Sequence, residues 1–101
     1  MTNTAVNADS MVVQYKIRLY VAGDAPNSRI ARENLNRLQK QMAAEFHVEI
    51  VDVLKHPRAA LDGGIFITPA LQVLAPGPGA LIFGNLSDDQ ALSTVFMRKS
   101  P

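Results

Sequence analysis

The residues that could act as acid, base, nucleophile or ligand are few and scattered. His47 and His56 stand nine positions apart. That is not the spacing of a metal pair, and neither a cysteine nor a Glu-x-x-His pair accompanies them, so both are read as surface histidines. The chain contains no cysteine, which removes disulfides, thiolate nucleophiles, zinc–sulfur sites and dithiol redox chemistry together. Asp52 sits in a strand-like run; burial would raise its pKa, but a lone acid without a catalytic partner is more often hydrogen-bonded structure than a general base. Gly77-Pro78-Gly79 lacks the strand-to-helix setting and the lysine of a phosphate-cradling loop. Thr68-Pro69 can place a cis-proline beside a turn, where a peptide or metabolite backbone could bind; a plain structural turn is the weightier reading. No nucleophile–base–acid constellation emerges, and the expectation is a protein with no enzymatic activity, no cofactor and no metal.

The elements that would hold these residues fit within one domain. The chain has 101 residues, 48% hydrophobic and 19% charged, with a formal charge of +1. This is enough apolar material for a single core and far from the basic excess of a nucleic-acid binder. No apolar run approaches the roughly 20 residues of a membrane span. Residues 1–12 read as a flexible tail without signal-peptide features, and 13–101 as the domain, with a cytoplasmic location as the default.

From Gln14, residues Tyr15, Ile17, Leu19 and Val21 alternate with Gln14, Lys16, Arg18 and Tyr20, the period of a strand. Gly23-Asp24-Ala25-Pro26-Asn27-Ser28 is a turn whose Asp, Asn and Ser can each cap the helix that follows. Ala31, Leu35, Leu38 and Met42 form its apolar stripe, and Glu33 lies four residues from both Arg29 and Arg37, an ion-pair ladder on the solvent side. His47 to Leu54 is rich in β-branched residues and reads as a strand buried on both faces. Strand, helix and strand make a βαβ unit with parallel strands.

Beyond Lys55 the signals mix. Arg58 to Asp62 suits a short helical turn closed by Gly63-Gly64. Ile65 to Leu74 is apolar enough for a strand, but Pro69 inside it must lie at an edge, a bulge or a strand start. Ala75 to Gly79 is a loop, Ala80 to Phe83 the return strand of a hairpin, and Ser87-Asp88-Asp89-Gln90 has the spacing of a capping box. A helix follows, with Leu92, Val95 and Phe96 on its apolar face and Arg98 and Lys99 in its last turn, although Ser93-Thr94-Val95-Phe96 leans toward strand.

The order β-α-β-(α)-β-β-α, with Thr68-Pro69 opening the third strand, is similar to the thioredoxin-like α/β fold. Leu19-Tyr20-Val21-Ala22-Gly23, Pro26-Asn27-Ser28, Val51-Asp52-Val53-Leu54, Pro57, Thr68-Pro69-Ala70-Leu71 and Gly84-Asn85-Leu86-Ser87 together resemble the KaiB family of circadian clock proteins, from about Val13 to about Phe96. In redox thioredoxins two cysteines occupy the turn that is here Asp24-Ala25-Pro26-Asn27. The chain departs from the KaiB pattern at Ala80 and Leu81, where clock members commonly carry basic residues, at Asn85, where the motif has Asp, and at Met97 to Pro101, where many carry an acidic tail.

The resemblance implies a regulator that binds a KaiC-like ATPase or a related signalling protein, and self-association to a dimer or tetramer. It also implies an alternative KaiB ground-state fold of the C-terminal half. Partner contacts are expected at Arg29, Arg37 and Lys55, with Gly63, Gly64, Pro69 and Gly84 as turn and fold-switch positions. The cationic side of the first helix is foremost a solvated face; as a contact it would meet an acidic surface and act on association rate. A different class also fits: a thioredoxin-fold domain binding a peptide or thiol metabolite at Thr68-Pro69 without redox activity. A self-associating structural module is the third.

Overall fold

The computed structural model describes residues 12–96. The expected tail at 1–12, apart from Val12, and the basic last turn at Arg98 and Lys99 lie outside the described residues. Seven elements follow in order: β1 (Gln14–Val21), α1 (Pro26–Gln41), β2 (Glu45–Asp52), α2 (Pro57–Asp62), β3 (Ala70–Ala75), β4 (Ala80–Phe83) and α3 (Asp89–Phe96). They build a four-stranded sheet in the order β2-β1-β3-β4. β1 and β2 are parallel, paired from Gln14 with Glu45 to Val21 with Asp52. β3 runs antiparallel to both β1 and β4, and the β1–β3 register slips at Lys16/Ile17.

The alternation of β1 sorts its side chains between two apolar layers. Ile17, Leu19 and Val21 meet Ala31, Leu35 and Leu38 of α1, Leu71 and Val73 of β3, Ile82 of β4, and Leu86, Leu92 and Phe96. On the opposite face, Tyr20 packs with Val51, Ala60, Ile65 and Ala70 beneath α2. Burying both faces removes a central strand from water, and Leu19, Tyr20 and Val21 are fully covered. At roughly 1.5–3 kcal/mol for each large apolar side chain, β1 is the best-anchored strand.

Several expectations need correction. β2 is an edge strand, not one buried on both faces: Val51 is buried, but Ile50 remains 49% exposed and Glu45, His47 and Glu49 face solvent. Its β-branched content reflects pairing along one side only. β3 starts at Ala70 rather than Ile65, because Pro69 has no N–H to offer a ladder; Phe66 and Ile67 stay outside at 80% and 60% exposure. No side chain caps α1, whose cap position is Ala25 with Pro26 opening the first turn. Ser28 turns inward instead, and its Oγ accepts the Ala22 N–H at 2.9 Å. At α3 the cap is Asp88 and not Ser87, its Oδ1 accepting the N–H groups of Gln90 and Ala91 at 3.0 and 3.1 Å. The Arg29–Glu33–Arg37 ladder does not close. Among the described residues the ion pairs are Arg18–Glu49 at 2.8 Å and Arg32–Asp24 at 3.6 Å, and freely solvated side chains gain little by pairing.

An aromatic trio ties α3 to the βαβ unit. Tyr15 stacks on Phe46 with centroids 5.2 Å apart, and Phe96 meets both rings edge-on at 4.9 and 5.8 Å. The Tyr15 hydroxyl donates to the Phe96 carbonyl at 2.8 Å, a hydrogen bond that links β1 directly to the backbone of α3.

Candidate docking surface

The connections β1–α1 and β2–α2 meet at one end of the sheet, where Asp52 organises them. Its Oδ1 accepts the N–H of Gly23 and the N–H of Leu54, each at 3.0 Å. The Asp52 carbonyl accepts the N–H groups of Lys55 and His56 at 3.0 and 2.9 Å, and the Val53 N–H donates to the Val21 carbonyl at 2.8 Å. The hydrogen bond from Leu54, joined by that from Gly23 and by the charges of Lys55 and Arg32, holds the Asp52 carboxyl below its ordinary value despite partial desolvation. The burial-raised pKa weighed for Asp52 is therefore wrong in sign: backbone donors outweigh desolvation. An ionised carboxylate that accepts two backbone N–H groups stiffens a loop and makes a poor base.

Pro69 and Gly84 come together at this end. The Gly84 N–H donates to the Pro69 carbonyl at 2.9 Å, Pro69 is buried, and Thr68-Pro69 is cis. Asn85 fastens the following turn to α1: its Nδ2 donates to Asn27 Oδ1 at 3.1 Å, and its carbonyl accepts from Asn34 Nδ2 at 2.9 Å. An aspartate at position 85 would have no N–H to give Asn27. Gly63 and Gly64 close α2, donating to the carbonyls of Ala59 and Leu61 at 3.1 and 3.0 Å. Gly63 also permits a close approach, since a Cβ there would stand 2.5 Å from the buried Tyr20 hydroxyl.

The elements joined by this frame expose apolar side chains and cations. Leu54 is 71% exposed, and Leu61, Phe66 and Ile67 protrude from α2 and the segment leading to Pro69. Lys55 and Arg58 flank them in sequence, and exposed Arg29 lies in the first turn of α1. Arg37 is exposed on the same helix about 12 Å further along its axis, so Lys55 and Arg29 share the loop end while Arg37 does not. The protruding leucines and Phe66 escape the sequence reading because Phe66 and Ile67 fall in a run that pattern alone assigns to a strand. Pro69 was the available signal that the strand begins only after it. Among the described residues no group of three or more His, Asp and Glu is placed to hold a metal, and no helix is long and apolar enough to cross a membrane.

These features define a thioredoxin-like domain that exposes aliphatic and aromatic side chains after β2 and before β3. The fold assignment is carried by solved structures of low sequence identity. The N-terminal domain of Synechococcus elongatus SasA superposes with a TM-score of 0.71 at 18% identity, covering 90% of each chain. Mitochondrial thioredoxin 3 of Saccharomyces cerevisiae gives 0.65 at 15% identity over 90% of this chain and 84% of its own. The KaiB domain model matches residues 18–97. The circadian clock oscillator proteins KaiB of Cyanothece sp. (strain PCC 7425 / ATCC 29141) and of Thermostichus vulcanus are each 40% identical over 75 residues, 73% of this chain and 71% and 69% of theirs. The chain belongs to the KaiB family.

Proposed function

We propose that the protein is a non-enzymatic, cytoplasmic clock-type regulator that acts by docking on a KaiC-like ATPase or a related signalling protein. The observation that carries this reading is the tip itself. Leu54 is held out in water on the hydrogen-bonded Asp52 turn, Phe66 and Ile67 are exposed in the segment leading to Pro69, Lys55 follows Leu54 in sequence, and Arg29 is exposed in the first turn of α1. Contiguous exposed apolar side chains with a charged rim mark protein contact. In this proposal the apolar tip supplies affinity, and Arg29, Lys55 and, further along α1, Arg37 steer an acidic partner surface. Gly63, Gly64, Pro69 and Gly84 are the turn positions at which the C-terminal half would rearrange toward a second fold. Left-handed backbone at Gly84 and at buried Leu86, with φ of 101° and 66°, supports a strained junction there.

The test is capture of a purified KaiC-type ATPase by the chain and by two variants. Phe66→Ala combined with Leu54→Ala should weaken binding by at least tenfold, and Arg29→Glu with Lys55→Glu should slow association most at low salt. Retained affinity in both variants refutes the docking surface. Stabilisation by glutathione or short peptides, with no response to the ATPase, would replace this reading with a ligand groove at Thr68-Pro69.

A further inference from the structure

Between the β3–β4 hairpin loop and the end of α3 the surface folds into a groove of about 560 Å³. Clefts of that size can bury several side groups of a guest. Residues 76–80 and 94–96 line it, together with Val13, Tyr15 and Val73, and none of the described lining residues is charged. The Tyr15 hydroxyl donates to the Phe96 carbonyl, and that of Thr94 donates to the Gln90 carbonyl at 2.9 Å. Both side-chain hydroxyls of the groove are therefore already committed within the fold. A charged guest would shed its water here without a side-chain partner, so the groove suits an apolar, uncharged one.

The chain brings such a guest to the rim. Val13 is fixed there, since its carbonyl accepts the Glu45 N–H at 2.9 Å, and Val12 and Val13 stay 39% and 47% exposed. Upstream of them, residues 1–11 carry one charged side chain, Asp9, and the apolar Met1, Ala5, Val6, Ala8 and Met11. Extended, such a segment reaches roughly 36 Å, whereas the loop linking β3 to β4 lies about two strand spacings from β1, roughly 10 Å. Residues 97–101 also adjoin the groove, through Phe96, but bring Arg98 and Lys99 within five positions. Cations gain nothing from an uncharged lining.

We infer that residues 1–11 dock in this groove, with Met11 and Val6 buried against Tyr15, Val95 and the prolines of the hairpin loop. Asp9 falls between them in sequence and stays in water. Tethering at Val12 gives the segment an effective concentration of about millimolar, so apolar contacts too weak to hold a free peptide suffice here. Docked, the segment spans from the hairpin loop to α3 and braces the C-terminal half from outside. It also covers apolar surface that would otherwise face water.

The test reads amide and methyl resonances of the full chain and of a Val6→Asp, Met11→Asp double variant. In the unaltered chain, the Met11 methyl should show a nuclear Overhauser contact to the Tyr15 ring. The double variant should shift the amides of Gly77, Gly79 and Val95, leave those of α1 in place, and speed exchange in α3 about three- to tenfold. Both substitutions precede β1 and replace no buried residue of the described fold, so loss of fold does not stand in for loss of docking. Groove amides that do not respond overturn the proposal. Contacts from Met97 in place of Met11 do the same, as does a response that fades on dilution, which would make the occupant a second copy.

Discussion

The βαβ half and the half that follows Asp52 share two apolar layers but are specified differently. In the first, an eight-residue strand and a sixteen-residue helix carry their own period, and Ile17, Leu19, Val21, Ala31, Leu35 and Leu38 are all buried where that period puts them. In the second, α2 has six residues, β4 four and α3 eight. Helices so short are marginal in isolation. They exist because they reach apolar surface that the first half offers: Leu92 and Phe96 of α3 join Leu71, Val73, Ile82 and Leu86 against one face of β1, and Ala60 of α2 packs with Tyr20 and Val51 on the other. One half is a scaffold, and the other is an adhering layer whose structure is tertiary in origin.

The hardest blow to that picture falls on Phe96, the side chain through which α3 touches both Tyr15 and Phe46. Phe96→Ala should cost about 3–5 kcal/mol. If the second half is an adhering layer, hydrogen exchange should show α3 losing protection first while β1 and α1 keep theirs. Uniform loss across all amides would mean that the two halves unfold as one unit, and the contrast would fail.

A second change acts on the backbone alone. Gly84 adopts φ of 101° with open space around its missing Cβ, so Gly84→Ala introduces strain without a clash. The expected loss is about 1–2 kcal/mol, because alanine is penalised where φ is positive. Gly77 has neither a positive φ nor a neighbour within reach, and Gly77→Ala should stay within about 0.5 kcal/mol of the parent in a urea titration. Equal effects at the two glycines would deny the 84–86 junction any special role.

The same contrast explains what could be read in advance. The thioredoxin-like order, the parallel βαβ unit, the hairpin and the final helix follow from period, turn residues and Pro69. Details failed where neighbours decide. Ile50 carries the side chain of a buried strand but lies at an edge, on the same side of the sheet as Val48, where α1 leaves it half covered. Asp88 caps α3 although Ser87 has the better motif, since the helix starts at Asp89. Of the site, Lys55, Pro69 and Gly84 are brought to one end of the sheet, whereas the tip of Leu54, Phe66 and Ile67 could not be told from core material. Apolar residues look alike in sequence whether they face inward or outward.

Asp52 stands at the seam between the halves and offers the smallest effect. It is the last residue of β2, and its carboxylate and carbonyl bind the backbone of Gly23, Leu54, Lys55 and His56. Its folded-state pKa lies below the unfolded value of about 3.9, so its charge adds stability above that value. The contribution disappears as pH falls through the lower folded value. Asp52→Asn keeps an acceptor oxygen but not the charge. Urea midpoints should therefore show the parent ahead of the variant at pH 7, with the gap closing below about pH 4. A gap that stays constant down to about pH 3 would assign the effect to hydrogen-bond geometry alone. A closing gap would instead make the charge of Asp52 part of what holds Lys55 at the docking end, joining the rigid half to the surface that the proposed partner reads.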